Sequence, residues 1–305
     1  MRLAYIIVSH FNFIQTLRLF NKLNNQDSVF IFHVSKKCEP QYYEKLYAAL
    51  KDRENCYFAD RVNVTWGRFS LVQAVLNSID TLVESKVDFN YAFLISGQDY
   101  PIKSHKHIAQ TLSKNPGKQY MEFKPLGELN ELRPWLENYH FWVGKRHFWH
   151  PHRRSDNLTI AIYNFILPLF LPKNRKLPQG FIPYKGSTWW VLTKDCIEFL
   201  HQHTHSSDKK KIIKFFKNTW HPAELYFQTI LMNSKYRDEV INNDLRFILW
   251  AENDNGHPNI LTAADFKDII SSNRLFARKF NAQIDSTILD LLDGKMETEQ
   301  IGNDY

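Results

Sequence analysis

Cysteine is scarce in this chain. Cys38, Cys56 and Cys196 are its three cysteines in 305 residues, and none forms a CxxC pair. Such a set excludes a disulfide framework and fits a reducing compartment. Long apolar runs are missing too. No window reaches the ~18 apolar residues of a membrane helix. The run near the N-terminus, Leu3 to Val8, is too short for a secretory signal and turns polar at Ser9. Gly/Ser/Pro linkers, internal repeats and low-complexity segments are absent, so one continuous domain over 1–305 is expected. There is no P-loop, GxSxG or GxGxxG, and each absence removes a class of phosphate- or acyl-handling site.

Aromatics are plentiful at 15%, with 23 Phe, 14 Tyr and 8 Trp. They fill cores, and their faces also suit sugars and bases. The formal charge of +7 favours an anionic partner: nucleotide phosphates, anionic lipid headgroups or nucleic acid. Nucleic acid is disfavoured, because the basic residues are scattered and no DNA- or RNA-binding signature is present. The longest apolar stretch, Leu158 to Leu171, is interrupted by Pro168 and flanked by Arg153, Arg154, Lys173, Arg175 and Lys176. A core helix is the favoured reading. Peripheral contact with an anionic membrane is the alternative.

The first hundred residues alternate strand and helix. Leu3–Val8, Val29–Val34, Cys56–Phe58 and Phe89–Ile95 read as strands. His10–Leu23, Pro40–Lys51 and Arg68–Glu84 read as helices. Alternation of this kind predicts an α/β fold with a mostly parallel sheet. Its strand ends would converge on Ser9-His10, Val34-Ser35 and Ser96–Asp99, where such sheets hold ligands. Beyond about residue 115 the pattern is less regular. Lys118–Phe123, Gly186–Leu192 and Arg246–Trp250 read as strands. Lys194–His203, Pro222–Met232, Ala263–Ser271 and Thr287–Leu292 read as helices, and the Trp-, His- and Arg-rich stretch 133–154 as a long loop region.

Several segments carry candidate chemistry. The apolar run ending at Ile95 stops at Ser96-Gly97-Gln98-Asp99-Tyr100, a polar turn at a strand end. Asp99 is a candidate ligand group there, while Pro101 and Ser104 also suit a turn and a helix N-cap. In Trp220-His-Pro-Ala-Glu224, Pro222 fits the first helical position. Glu224 is then either a capping-box residue or a general base whose aromatic neighbours desolvate it. Arg246 heads a strand, and Leu275-Phe-Ala-Arg-Lys-Phe280 adds cations. A departing diphosphate needs such charge, although surface cations are commonly only solvated. His201, His203 and His205 alternate at the end of a helix, where alternate residues diverge, so no metal site is expected. Lys209, Lys210, Lys211, Lys214 and Lys217 read as a solvated helix face.

Six segments, in order, resemble one family. They are Ala4-Tyr-Ile-Ile-Val-Ser-His10, Trp66-Gly-Arg-Phe-Ser-Leu-Val72, Leu94-Ile-Ser-Gly-Gln-Asp-Tyr-Pro-Ile-Lys-Ser104, Lys185-Gly-Ser-Thr-Trp-Trp190, His221-Pro-Ala-Glu224 and Leu275-Phe-Ala-Arg-Lys-Phe280. Together they resemble the core-2/I-branching β-1,6-N-acetylglucosaminyltransferase and peptide O-xylosyltransferase family, in a short, bacterial-looking form, from about Leu3 to Leu292. The resemblance implies a GT-A-like fold and metal-independent transfer, with inversion, from a UDP-sugar donor to a glycan or glycolipid acceptor. It maps the catalytic base onto Glu224 and the diphosphate contacts onto Arg246 and Lys279. It maps an acceptor-site pair onto Glu122 and Arg133, with Trp189 and Trp190 on the strand bordering the acceptor.

This chain has no Asp-x-Asp pair for a metal, so side-chain cations would replace it and no cofactor is expected. Ser35 stands where the family usually has an acidic residue, which alters the expected nucleotide contacts near Ser9, His10 and Ser35. A nucleotide-sugar half (about 1–115) and an acceptor and catalytic half (about 116–305) follow. The expected setting is cytoplasmic synthesis of surface polysaccharide, with GlcNAc or xylose as the sugar. The rival reading is a non-catalytic carbohydrate- or nucleotide-binding subunit of a polysaccharide assembly complex.

Overall fold

The structure is a computed structural model that describes residues 1–143, 146–150, 162, 166, 170–171, 175–206, 210–250 and 257–301. Most of the apolar stretch 158–171, with Arg153, Arg154 and Lys173 beside it, lies outside the described residues, as does Lys209.

Along the first half run β1 (Leu3–Ser9), α1 (Phe13–Leu23), β2 (Ser28–Val34), α2 (Pro40–Leu50), β3 (Cys56–Phe58), α3 (Ser70–Glu84), β4 (Tyr91–Ser96), β5 (Asp99–Pro101), α4 (His105–Ser113), β6 (Gln119–Met121) and β7 (Lys124–Pro125). Then come α5 (Arg133–Glu137), β8 (Tyr139–Val143), β9 (Arg146–His150), β10 (Tyr184–Lys185), β11 (Trp190–Thr193), α6 (Lys194–His205), α7 (Lys210–Phe216) and α8 (Tyr226–Met232). The chain continues through β12 (Val240–Ile241), β13 (Arg246–Ile248), α9 (Phe266–Ser271), β14 (Phe276–Arg278) and α10 (Thr287–Ile301).

The expected α/β architecture with a mostly parallel sheet is present. A seven-stranded sheet has the order β12-β6-β11-β4-β1-β2-β3. β1 pairs in parallel with β2 and β4, and β2 with β3. β11 runs antiparallel between β4 and β6. The central strands are apolar at nearly every position because helices cover both faces. Leu3, Tyr5 and Ile7 join one buried cluster with α1, α2, α4 and α10. Ala4 and Ile6 join the other, with α3, α6, α7 and α8. The strand period of two divides each strand between two cores.

Three local readings differ from expectation. Within the 133–154 stretch, residues 133–150 hold α5 and the antiparallel pair β8–β9 rather than a long loop; the aromatic-rich segments YHFWV and RHFWH suit strands. Gly186–Leu192 is a strand only from Trp190 onward. Pro222–Met232 is a 3₁₀ turn at Pro222–Glu224 followed by α8, broken at Leu225. Ser104 does cap α4, its hydroxyl accepting the His107 N–H at 3.3 Å.

A second, three-stranded sheet matters more for the site. β13 pairs in parallel with β14, and β14 antiparallel with β5. The register sets Arg278 opposite Asp99. Thus residues from three distant segments meet beside the carboxyl ends of β1 and β4.

Candidate active site

A cleft of about 1150 Å³ opens over those carboxyl ends. Ser9 and His10 leave β1, Ser35 follows β2, and Ser96 and Gln98 follow β4; all five line it. This is the crevice expected of a mostly parallel sheet. The Ser35 hydroxyl accepts the N–H groups of Lys37 and Val64, at 3.2 and 3.3 Å. A neutral serine therefore ties the next loop to the rim of the cleft.

The opposite wall carries Glu224. Left-handed His221 (φ 46°) turns the chain into the 3₁₀ turn and makes no side-chain cap. Leu225, Tyr226 and Phe227, which follow Glu224, point into the core and are fully buried. His221 makes no side-chain cap and its own N–H donates to the Gly67 carbonyl, so the capping-box reading fails. The Glu224 side chain faces the cleft, 29% exposed, with Oε2 3.0 Å from Lys185 Nζ and Oε1 3.7 Å from His221 Nδ1. Burial pushes the His221 pKa down to about 4, helped by Lys185 and His257. The imidazole is neutral near pH 7 and rests against Trp66 and Trp135, ring centroids 4.3 and 4.7 Å away.

Gly186 sets the closeness of this wall. Its N–H donates to the Glu224 carbonyl at 2.8 Å. A Cβ placed on it would lie 1.7 Å from the Glu122 carbonyl oxygen, so only glycine lets the two backbones touch. Glu122 itself lines the cleft, and its pKa is raised by burial and by Asp244, against the pull of Lys185, Lys124 and Arg274.

Further cations line the same cleft. Arg246 is buried and donates to the carbonyls of Asp244, at 2.9 Å, and Leu94. Arg278 Nε sits 3.6 Å from Asp99 Oδ1. The two guanidinium carbons lie over the Trp189 ring, 5.5 and 4.1 Å from its centroid. Arg246 Nε and Arg278 Nε and Nη1 are buried and make no hydrogen bond among the described residues. Burial lowers the pKa of both arginines, with Asp99 and Asp244 pulling the other way. Lys279 lines the same space; burial and then Arg278 lower its pKa. Among the described residues, the site holds more positive charge than its own carboxylates balance, and an anion would relieve that.

Of the residues singled out from sequence, Ser9, His10, Ser35, Glu122, Trp189, Glu224, Arg246 and Lys279 meet in this cleft. Asp99 does not line it. The carboxylate is fully buried under Arg278 and accepts the Ser96 N–H, so it supports the cations from behind. Trp190 is fully buried against Phe227, because its side of β11 faces the core. Arg133 does not line the cleft; it is exposed beside Glu137, at 3.8 Å. Lys185 and Arg278 were missed as site residues, although both lie inside segments quoted for the resemblance.

The model of the "Core-2/I-Branching enzyme" family matches residues 3–270. The chain belongs to that family. Xylosyltransferase 2 of Rattus norvegicus is 25% identical over 96% of this chain, and that of Mus musculus 26% identical over 96%. Xylosyltransferase 1 of Canis lupus familiaris is 26% identical, again over 96% of this chain. The chain spans about a third of the length of these relatives, 33% for the first two and 30% for the third. Among the described residues, no helix is long and apolar enough to cross a membrane.

Proposed function

We propose that this core-2/I-branching family member is an inverting glycosyltransferase. It moves a sugar, GlcNAc or xylose, from a UDP-sugar to a hydroxyl of a glycan or glycolipid acceptor. One observation carries this reading: a carboxylate at Glu224 and an under-neutralised cation group at Arg246, Arg278 and Lys279 open on one cleft.

In the proposed step the acceptor hydroxyl oxygen attacks the anomeric carbon. Glu224 takes the hydroxyl proton as that bond forms, and the bond from the anomeric carbon to the diphosphate oxygen breaks. UDP departs with the electron pair. Arg246, Arg278 and Lys279 face the charge that develops on it, where fixed donors in a shielded site act most strongly. Attack opposite the leaving group inverts the anomeric centre. The lack of an Asp-x-Asp pair in the sequence and the cation group together favour metal-free stabilisation of UDP. Trp66, 55% exposed at the rim, offers an aromatic face to a sugar ring. A cytoplasmic role in surface polysaccharide, with contact to an anionic membrane where the acceptor is a glycolipid, completes the reading.

Calorimetric titration of the protein in EDTA with UDP and a panel of UDP-sugars tests it. Binding in EDTA with one sugar preferred is expected. Binding that requires Mn²⁺ or Mg²⁺ would overturn the metal-free part. No binding of any UDP compound, with or without metal, would leave the non-catalytic subunit as the better reading.

A further inference from the structure

Outside the cleft, α3 and α6 lie side by side and present a cluster that the transferase reading does not use. Asp80 comes from α3, and His201 and His205 come from α6. Residues four apart share one face of a helix, so these two imidazoles point the same way, whereas His203 turns inward and is buried. His201 Nδ1 lies 2.9 Å and His205 Nε2 3.1 Å from the same atom, Asp80 Oδ1. The two rings are 4.6 Å apart, centroid to centroid. The three potential ligand atoms all fall within 4.8 Å of one another. Among the described residues, no other group of three His, Cys, Asp or Glu side chains meets that condition.

These distances suit a small dication. Zinc bonds imidazole nitrogen and carboxylate oxygen at about 2.0–2.2 Å, which places tetrahedral ligand atoms roughly 3.4 Å apart. The cluster needs only a slight spreading to admit an ion at its centre. Two imidazoles and one carboxylate select a borderline transition metal over Mg²⁺ or Ca²⁺, which prefer all-oxygen shells. His201 and Asp80 are partly buried, 23% and 28% exposed, and His205 is 58% exposed. The ion would thus enter from solvent and keep a fourth position for water.

We propose that Asp80, His201 and His205 form a Zn²⁺-type site that clips α3 to α6. None of the three residues lines the cleft, so the ion acts on the fold and takes no part in sugar transfer. A ligand that binds only the folded chain raises stability in proportion to the logarithm of its concentration.

The test uses the full chain, stripped with EDTA and dialysed. Thermal unfolding is followed with added Zn²⁺ or with Mg²⁺, and Zn²⁺ stoichiometry is measured by equilibrium dialysis. A rise in Tm with Zn²⁺ alone and one tight equivalent per chain are expected. His205→Gln, at the most exposed ligand, and Asp80→Asn should each weaken that equivalent by about tenfold or more. UDP binding by both variants should stay as in the wild type, which separates this site from the cleft. Absence of a Zn²⁺-dependent Tm shift would overturn the proposal. So would one Zn²⁺ equivalent held equally well by wild type and both variants, because the ion would then sit among other histidines.

Discussion

Lys185 Nζ stands 3.0 Å from Glu224 Oε2, and the residue after Lys185 donates its amide to the Glu224 carbonyl. Side chain and backbone of one short segment thus hold a residue 39 positions away. The pairing fixes where the carboxylate points and leaves its other oxygen toward His221 and the cleft. An acceptor hydroxyl that reaches Glu224 meets a base whose position is already set.

If Glu224 is the base, Glu224→Gln should lower turnover by ~10²–10⁴-fold. UDP affinity should survive, because Arg246, Arg278 and Lys279 are untouched. Steady-state transfer rates and UDP calorimetry on one preparation check both halves. Near-normal turnover would remove Glu224 from the chemistry.

Lys279→Ala should weaken UDP binding by about tenfold or more, the scale of one charge-assisted hydrogen bond at ~1.5–3 kcal/mol. Arg278→Ala is expected to do this and more. It strips the cation from fully buried Asp99, which costs roughly 3–5 kcal/mol of stability. Urea unfolding beside UDP titration separates the two effects. Equal stability for both variants would show that Asp99 does not depend on Arg278.

Gly186→Ala places a methyl into the Glu122 carbonyl and should cost ~1–3 kcal/mol or more, as overpacking does. Transfer activity should fall further than stability explains, since Gly186 also anchors Glu224. An unfolding midpoint equal to wild type would mean that the two backbones part easily.

Trp189 and Trp190 are neighbours with opposite fates. Trp190→Ala should destabilise the fold by ~3–5 kcal/mol, as expected for a fully buried indole on β11. Trp189→Ala should act mainly on the cleft, raising the Kd for UDP by about tenfold through loss of the surface under Arg246 and Arg278. The reverse pattern in unfolding midpoints and UDP titrations would place the wrong indole in the site.

His33 predicts a loss of stability in acid. Its Nε2 accepts the Val62 N–H at 3.1 Å, and burial pushes its pKa down to about 4. The unfolded chain binds the proton at ~6.5, so the folded form is the poorer proton binder. The contribution of His33 is therefore full above pH ~6.5 and declines as pH falls toward 4, by about 2–3 kcal/mol at pH 4.5. His221, also near 4, adds to the same window. In unfolding measurements at pH 7 and 4.5, His33→Gln should flatten the decline. An unchanged slope would show that His33 does not titrate across this window.

Much of the parallel sheet was legible because each early strand is a continuous apolar run ended by a polar turn. The backbone there needs no distant partner to declare itself. Glu224, Arg246 and Lys279 were legible as residue types in recurring segments. Their company was not. Arg278 is next to the chosen Lys279, and Lys185 is four residues before the chosen Trp189, but closeness along a chain does not tell which neighbour turns into a cleft.

Composition and period alone determined that this chain folds as an α/β protein with polar turns at its strand ends, since burial on two faces leaves that mark in local sequence. Tertiary structure decided the rest. The β5–β14 register put Asp99 behind Arg278 instead of in the cleft, the pleat of β11 sent Trp190 to the core, and helix packing drew Asp80 toward His201 and His205. Each outcome depends on contacts between segments tens to hundreds of residues apart, and only a folded chain brings such segments within the few ångströms over which charges and hydrogen bonds act.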